Sequence, residues 1–521
     1  MEQDTQVLLA AAHAAVSDGN IDEAVQIILS CWIGVLTGPH FLELDALCAR
    51  LPHAAAEDPR ILAVRACAQD AQGTDKVAQL LLARALTLAE PELADPESMK
   101  YPDLEWHVSF ARMILLDNRE EVIKYTDRVW TLLEGVQIEA RSRAAAFHHI
   151  GWAFLRHRGA PAQGVQALQF AVREAAAVGD VGLQNRAARH LSYMLAWVGK
   201  FRHADEVLQS IREIPEPGTP WQLSSVGDVE AAEAYLGYWT NDLGRARRSV
   251  ERLRSDDGQI VSFAGTARVL FVLSAAASRD PAFIRQAAHK LRRIPQQDAR
   301  GVSWRALNLA CQAAIAEATG HRERALAIAQ KFTGNEGLPL VIVALAGILR
   351  RAGKVDEAVQ MLQHLQPYQQ LSYVNVAMLA TAATQQFRSG HPTVAHELCE
   401  RALNAATEEN IRRPFCEWDL EMRKLLTAHL AWGTKHETFI VECLADEIEA
   451  STHHSLTKRE LLVLAQLRTT QTLAEIAEVL GVSLNTVKTQ ATSIYRKLGV
   501  SSRREAVAVL MKKIQPETGA M

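Results

Sequence analysis

Between residues 118 and 390 the chain repeats a turn at nearly constant intervals. Asn118, Gly159, Gly199, Asn241, Asp280, Gly320, Gly353 and Gly390 stand 41, 40, 42, 39, 40, 33 and 37 residues apart. Turn after turn is followed by an amphipathic stretch with Ala about four to six residues on. Examples are VGKFRHADEVLQSI (198–211), TGHRERALAIAQKF (319–332) and AGKVDEAVQMLQHL (352–365). DGNIDEAVQIIL (18–29) and SGHPTVAHELCERAL (389–403) are further copies, and TNDLGRARRSVERL (240–253) is a looser one. A sustained period near 40 calls for helix–turn–helix units stacked on one another, because a single unit cannot bury its own apolar face. Gly or Asn at the turn admits the left-handed conformation that ends a helix. The small Ala lets two helix backbones approach. No segment up to about residue 445 alternates cleanly with period two, so the expected fold class is all-α.

These units resemble tetratricopeptide repeats, although most exceed that family's 34 residues. Trp197 and Trp239, each two residues before a turn, are expected to pack between helices. A proline-rich patch, IPEPGTPW (214–221), interrupts the array as a long loop or a break. The 48% hydrophobic and 22% charged composition of the 521 residues excludes disordered and collagen-like chains. The opening MEQDTQVLLA lacks a basic n-region, and the longest apolar run, about Leu338–Leu349, falls short of the roughly 18 residues that span a bilayer. A cytoplasmic protein without membrane contact is expected. The cysteines at 31, 48, 67, 311, 399, 416 and 443 are dispersed and form no CxxC pair, which suits buried thiols in a reducing compartment. The adjacent pairs His148/His149 and His453/His454 are not surrounded by metal-spaced partners, so no metal site is expected.

Charge is uneven. Residues 453–521 hold ten Lys and Arg against five Asp and Glu, so they carry +5 while the rest of the chain carries −9. A basic end on an acidic body hints at nucleic acid. From Leu456 to Ile514 the punctuation predicts four short helices. Thr457 with Glu460, Thr472 with Glu475, and Ser502 with Glu505 are spaced as capping boxes, and Ser483 caps the third helix. The turn Gly481-Val482-Ser483 between helices two and three makes a helix-turn-helix, whose second helix can enter a major groove. Leu464, Ile476, Ala477, Leu480, Val487, Ile494, Leu498 and Ala506 would close its core. Lys488, Arg496, Lys497, Arg503 and Arg504 are left for solvent or phosphate.

LTKREL followed by IAEVLGVSLNTVKTQATSIYRKLGVSSRREAV resembles the LuxR-type DNA-binding domain of bacterial transcription regulators over about 60 residues. The resemblance implies that Lys488, Thr489 and Thr492 face base edges. It implies that Ser483, Thr486, Lys497, Arg503 and Arg504 meet the phosphate backbone. Val507, Leu510 and Met511 on helix four would pair with a second copy on DNA, although Val507 is as well suited to the domain's own core. Gln490 stands where the family often has His, and Thr492 replaces a frequently basic residue, which implies weaker affinity or altered base preference.

The stretch ENIRRPFCEWDLEMRKLL (409–426) resembles the segment before the DNA-binding domain in large ATP-binding LuxR-type activators. Their ATPase has no counterpart here. Gly199-Lys200 and Gly353-Lys354 are followed by Phe and Val, and no GxxxxGK[ST] loop is present, so no nucleotide and no other cofactor is expected. GxSxG and HExxH are absent, and His396-Glu397 and His436-Glu437 lack the second His, which argues against an enzyme. The expected organisation is a tetratricopeptide-like α-solenoid at 1–445, a linker at 446–455, a four-helix LuxR-type helix-turn-helix domain at 456–515 and a tail at 516–521. The expected function is a bacterial transcription regulator. Its partners would be double-stranded DNA bound as a homodimer, RNA polymerase, and an effector (protein, peptide or small molecule) at the array. A helical-repeat scaffold whose tail touches polymerase or DNA only incidentally is the alternative.

Overall fold

A computed structural model describes residues 2–38, 40–95, 100–116, 118–136, 138–157, 160–212, 226–253, 263–298, 302–332, 338–417, 419–451, 458–467, 469, 471–498, 502–503 and 506–507. The chain is all-α, with no strand among the described residues. It divides into two compact units. One comprises residues 1–235 with 248–268 and 293–305, the other residues 236–247 with 269–292 and 306–521. In the first, Pro59–Ala71 packs on Asp75–Ala94, Ala140–His157 on Pro161–Ala177, and Val181–Val198 on Phe201–Ser210. In the second, Pro339–Arg351 packs on Val355–Gln363 and Ser372–Arg388 on Pro392–Glu409. Very short connections make such neighbours antiparallel.

One backbone device ends the first helix of these pairs. At Gly199 the chain turns left-handed (φ 84°), and the Lys200 N–H donates to Leu195 O at 2.8 Å, satisfying a carbonyl that the helix leaves orphaned. Gly320, Gly353 and Gly390 repeat this geometry. Five residues beyond each stands Ala204, Ala325, Ala358 or Ala395, at most 1% exposed, where two helices meet. At the next variant of the turn, Asn241 (φ 62°), the approach is closer still. A Cβ on Gly237 would lie 2.6 Å from Ala246 N, so only glycine fits. Two expected turn residues do something else. Asn118 (φ −68°) caps Arg119–Leu132 by accepting from the N–H groups of Glu120 and Glu121. Asp280 caps Pro281–Leu291, and Arg279 before it takes the left-handed place (φ 55°). Gly159 and the proline-rich patch 214–221 lie outside the described residues.

Trp197 and Trp239 are buried, and the Trp239 ring stacks on Tyr373 at 4.5 Å, as interhelical packing demands. All seven cysteines are free and buried. The run 338–349 forms the buried helix Pro339–Arg351, and no described helix is long and apolar enough to cross a membrane. Leu420–Trp432 is followed by Glu437–Ser451, so the segment expected as a linker is helical through Ser451, and 452–455 lie outside the described residues.

Residues 410–419 do not merely precede the last domain. Arg412 N–H donates to Trp239 O at 2.8 Å and Arg413 Nη1 to Asn241 Oδ1 at 3.0 Å, which seats this segment on a turn some 170 residues earlier. Arg350, 2% exposed, donates to Asp419 Oδ2 (2.7 Å), Glu417 Oε2 (2.8 Å) and Pro414 O (2.9 Å). Arg351 forks onto Glu317 through two 2.8 Å bonds and reaches Glu417 at 2.9 Å. Breaking such a buried pair from one side costs about 3–5 kcal/mol, because a charge is left uncompensated.

In the first unit His148, His149 and His190 share a buried site, with His148 Nε2 3.1 Å from His190 Nδ1 and Asp228 near His190. Burial holds all three rings neutral, His149 down to about 3 and His190 to about 4; Arg186 adds to the effect and Asp228 opposes it at His190. The unfolded chain therefore binds protons that the folded one refuses. Stability present above pH 6.5 is lost as pH falls toward 4, at about 1.4 kcal/mol per pH unit per histidine. Thermal unfolding should shift steeply downward between pH 6.5 and 4.5. His149→Phe should flatten that slope, and an unchanged slope would refute the assignment.

Candidate nucleic-acid interface

The last domain is built around a core of Val463, Leu464, Leu467, Ile476, Ala477, Val487, Ala491, Ile494 and Ala506, with Leu480 partly buried. Its helices are Lys458–Gln466, Leu473–Val479 and Leu484–Leu498, and Arg503, Ala506 and Val507 are helical. Ala445 of the preceding helix Glu437–Ser451 belongs to the same core, so the domain is packed onto the end of the array. The expected core residues Leu464, Ile476, Ala477, Val487, Ile494 and Ala506 all lie there; the Leu498 side chain is outside the described set.

Local chemistry aims the third helix. Thr472 and Glu475 form a complete capping box at the start of helix two, and those hydrogen bonds hold the Glu475 carboxyl below its usual range. Helix two ends at Gly481 (φ 62°), with Val482 N–H donating to Ala477 O at 3.0 Å. This is the left-handed turn of the repeats again. Ser483 Oγ accepts from Thr486 N–H at 3.1 Å and lies 2.8 Å from Thr486 Oγ1. Both hydroxyls are exposed at the positive end of a helix, where a phosphate is favoured. Glu460 does not complete a box within the described residues, because Thr457 lies outside them. It is 5% exposed and accepts from Ser493 Oγ at 2.6 Å, tying helix one to helix three.

Val487, Ala491 and Ile494 are buried, and Asn485, Lys488, Thr489 and Thr492 are exposed at i, i+3, i+4 and i+7. Thr489 and Thr492 donate their hydroxyl protons to Asn485 O (2.9 Å) and Lys488 O (3.0 Å). Outward they present a methyl and free lone pairs, suited to a thymine methyl or an amino group of cytosine or adenine. Lys488 supplies the charge on this row. Asn485, which the family resemblance does not single out, belongs to the same row, one turn before Lys488 and Thr489.

Arg503 departs from expectation. Its Nε, Nη1 and Nη2 donate to the carbonyls of Leu467, Gln471 and Thr469 at 2.8, 2.6 and 2.6 Å. The guanidinium fork satisfies carbonyls that helix one and the following loop leave without helical partners, so it clamps the domain rather than projecting to phosphate. Val507 is half-buried. The side chains of Arg496 and Lys497, and all of Arg504, Leu510 and Met511, lie outside the described residues, as do His453 and His454. Among the described residues no cluster of His, Cys, Asp and Glu could hold a metal.

Residues 454–510 match the family described as bacterial regulatory proteins, luxR family. The transcriptional regulatory protein YdfI of Bacillus subtilis (strain 168) is 48% identical over 58 residues. That is 11% of this chain and 27% of the relative. LiaR of the same organism is 48% identical over 54 residues, 10% of this chain and 26% of its own. The chain thus spans about a quarter of these curated relatives. Its C-terminal domain is a LuxR-family helix-turn-helix. The yeast Tom70 crystal structure aligns at 11% identity and a TM-score of 0.31, covering 79% of this chain and 94% of that one. Naa15/Naa10 bound to HypK-THB aligns at 11% identity and 0.20.

Removing the clamp should loosen the domain. Arg503→Ala is expected to destabilise it by about 1–3 kcal/mol, since three charge-assisted bonds to part-buried carbonyls are lost. Amide exchange at 463–480 in the full-length protein would rise. Unchanged exchange there would contradict the clamp.

Proposed function

We propose that the protein is a DNA-binding transcription regulator that reads an operator with its C-terminal helix-turn-helix under the control of an effector received by the helical-repeat array. The observation that carries this reading is the exposed row Asn485, Lys488, Thr489 and Thr492 behind a left-handed turn and a serine cap. Lys488, Thr489 and Thr492 contact base edges, and Asn485 is suited to adenine. Ser483, Thr486, Lys497 and Arg504 hold phosphates, while Arg503 supports them from within. Helix four, through Val507, Leu510 and Met511, pairs two copies on an inverted repeat. The similarity to YdfI and LiaR, both transcriptional regulatory proteins, supports the same reading. RNA polymerase is a further partner of such a regulator.

A genome-wide binding map with tagged full-length protein supplies the operator. On it, Lys488→Ala should weaken specific binding by about 1–3 kcal/mol and leave nonspecific binding nearly intact. Lys497→Ala should weaken all sequences evenly and reduce the salt slope by about one unit. Equal operator affinity for wild type and Lys488→Ala would sink the base-reading row.

Control by the array is a separate claim. A chain lacking residues 1–436, which keeps the helix Glu437–Ser451 and its core residue Ala445, should regulate the operator without responding to the effector. If its inducer response equals that of the full chain, the array is not the sensor.

A further inference from the structure

In the first unit a pocket of about 220 Å³ opens among the helices Arg119–Leu132, Ala140–His157 and Pro161–Ala177. Ile123, Asp127, Trp130 and Thr131 line it at i, i+4, i+7 and i+8, a single face of the first of these helices. The buried Phe154 forms the inner wall, and Gln163 stands on the third helix. These walls are fixed. The half-buried Trp130 ring meets Phe147 edge-on at 6.0 Å and Phe170 at 6.4 Å. A Cβ on Gly164 would come within 2.9 Å of Phe154 Cβ, so the second and third helices already touch beside the pocket. The polar groups share one character: they accept. Asp127, at the exposed rim, is the sole charged group among the described lining residues. Thr131 spends its hydroxyl proton on Asp127 O at 2.9 Å and keeps its lone pairs. The Gln163 amide brings a further oxygen. Cations on the same helix are engaged elsewhere, Arg128 on Glu105 and Lys124 over the Tyr125 ring. Burial alone pushes the Asp127 carboxyl up, and no cation among the described residues acts against it.

We propose that this pocket binds a small primary amine carrying a single ring, its ammonium held by Asp127 and Trp130 and its ring set against Ile123 and Phe154. The carboxylate supplies a charge-assisted acceptor, and the indole attracts the same cation through its ring quadrupole. The Thr131 and Gln163 oxygens are there for its remaining protons. A bare inorganic cation gains nothing from Ile123 and Phe154, a neutral ring leaves Asp127 without a counter-charge, and an anion is repelled by it. Size agrees. An apolar cavity of about 150 Å³ holds benzene, and drug-sized ligands fill roughly 300–1,000 Å³, so about 220 Å³ suits one ring with a short arm. The proposal names the ligand class for the sensor role above and rests on that reading only for its regulatory consequence.

The test titrates full-length protein by calorimetry with benzylamine, neutral benzyl alcohol and sodium benzoate at pH 7. Benzylamine should bind saturably, benzyl alcohol at least tenfold more weakly, and benzoate not at all. Asp127→Asn, a near-isosteric change at the exposed rim, should weaken benzylamine tenfold or more and leave benzyl alcohol unchanged. Trp130→Phe, which keeps a ring against Phe147 and Phe170, should weaken benzylamine severalfold and serves if the first variant fails to fold. Absence of saturable benzylamine binding, equal binding of benzyl alcohol or benzoate, or full benzylamine affinity in the folded variants would overturn the site. Operator affinity measured with and without benzylamine separates the two claims. Saturable binding with no change on DNA leaves the site standing and removes the sensor role. Failure to bind benzylamine removes the site and leaves the reading of DNA by the helix-turn-helix as it was.

Discussion

Wherever a helix ends, its last carbonyls must find donors, and at the recurrent glycine turns this chain solves that problem in one way. A residue in the left-handed conformation reverses the backbone so that the next N–H reaches back five residues, as Lys200 does to Leu195 and Lys354 to Leu349. The reversal launches the following helix at once, and an alanine five residues on lets it lie against its predecessor. The array grows by repeating this contact. The same turn at Gly481 sets the helix Leu484–Leu498 against Leu473–Val479 and so decides which of its residues face outward. A single backbone geometry underlies both the repeats and the helix-turn-helix domain.

A second constraint acts at the C-terminal end of the array. Arg350, almost without exposure, and the partly buried Arg351 lie beside Glu317, Glu417 and Asp419, and the carboxylates on 417 and 419 come from an irregular segment rather than a helix face. Apolar packing alone is non-directional and would let that segment slide. Charged hydrogen bonds of fixed geometry, together with Arg412 on Trp239 O and Arg413 on Asn241, hold it in one register. From there the helices Leu420–Trp432 and Glu437–Ser451 lead directly into the core of the last domain. The segment and the last domain are thus joined through contiguous packed elements.

The helical class, the repeat period, the buried alanines and the core of the helix-turn-helix were legible in the sequence because each depends on local spacing. Turn residues recur at fixed intervals, apolar residues recur at 3.6, and Thr472 with Glu475 close a box within four residues. What could not be read depends on residues far apart in the chain. Nothing near Arg503 says that it spans to carbonyls more than 30 residues earlier, nor does anything near Glu460 point to Ser493. RRPFCEWD looks like a family signature without a stated task. Only tertiary structure brings Arg350 to Asp419 across 69 positions and buries the charges. Local sequence determines where helices begin, end and turn, because those energies involve neighbouring backbone groups. Which buried charges become partners is decided by stacking the repeats, because desolvation makes unpaired charges prohibitive only once the fold has closed around them.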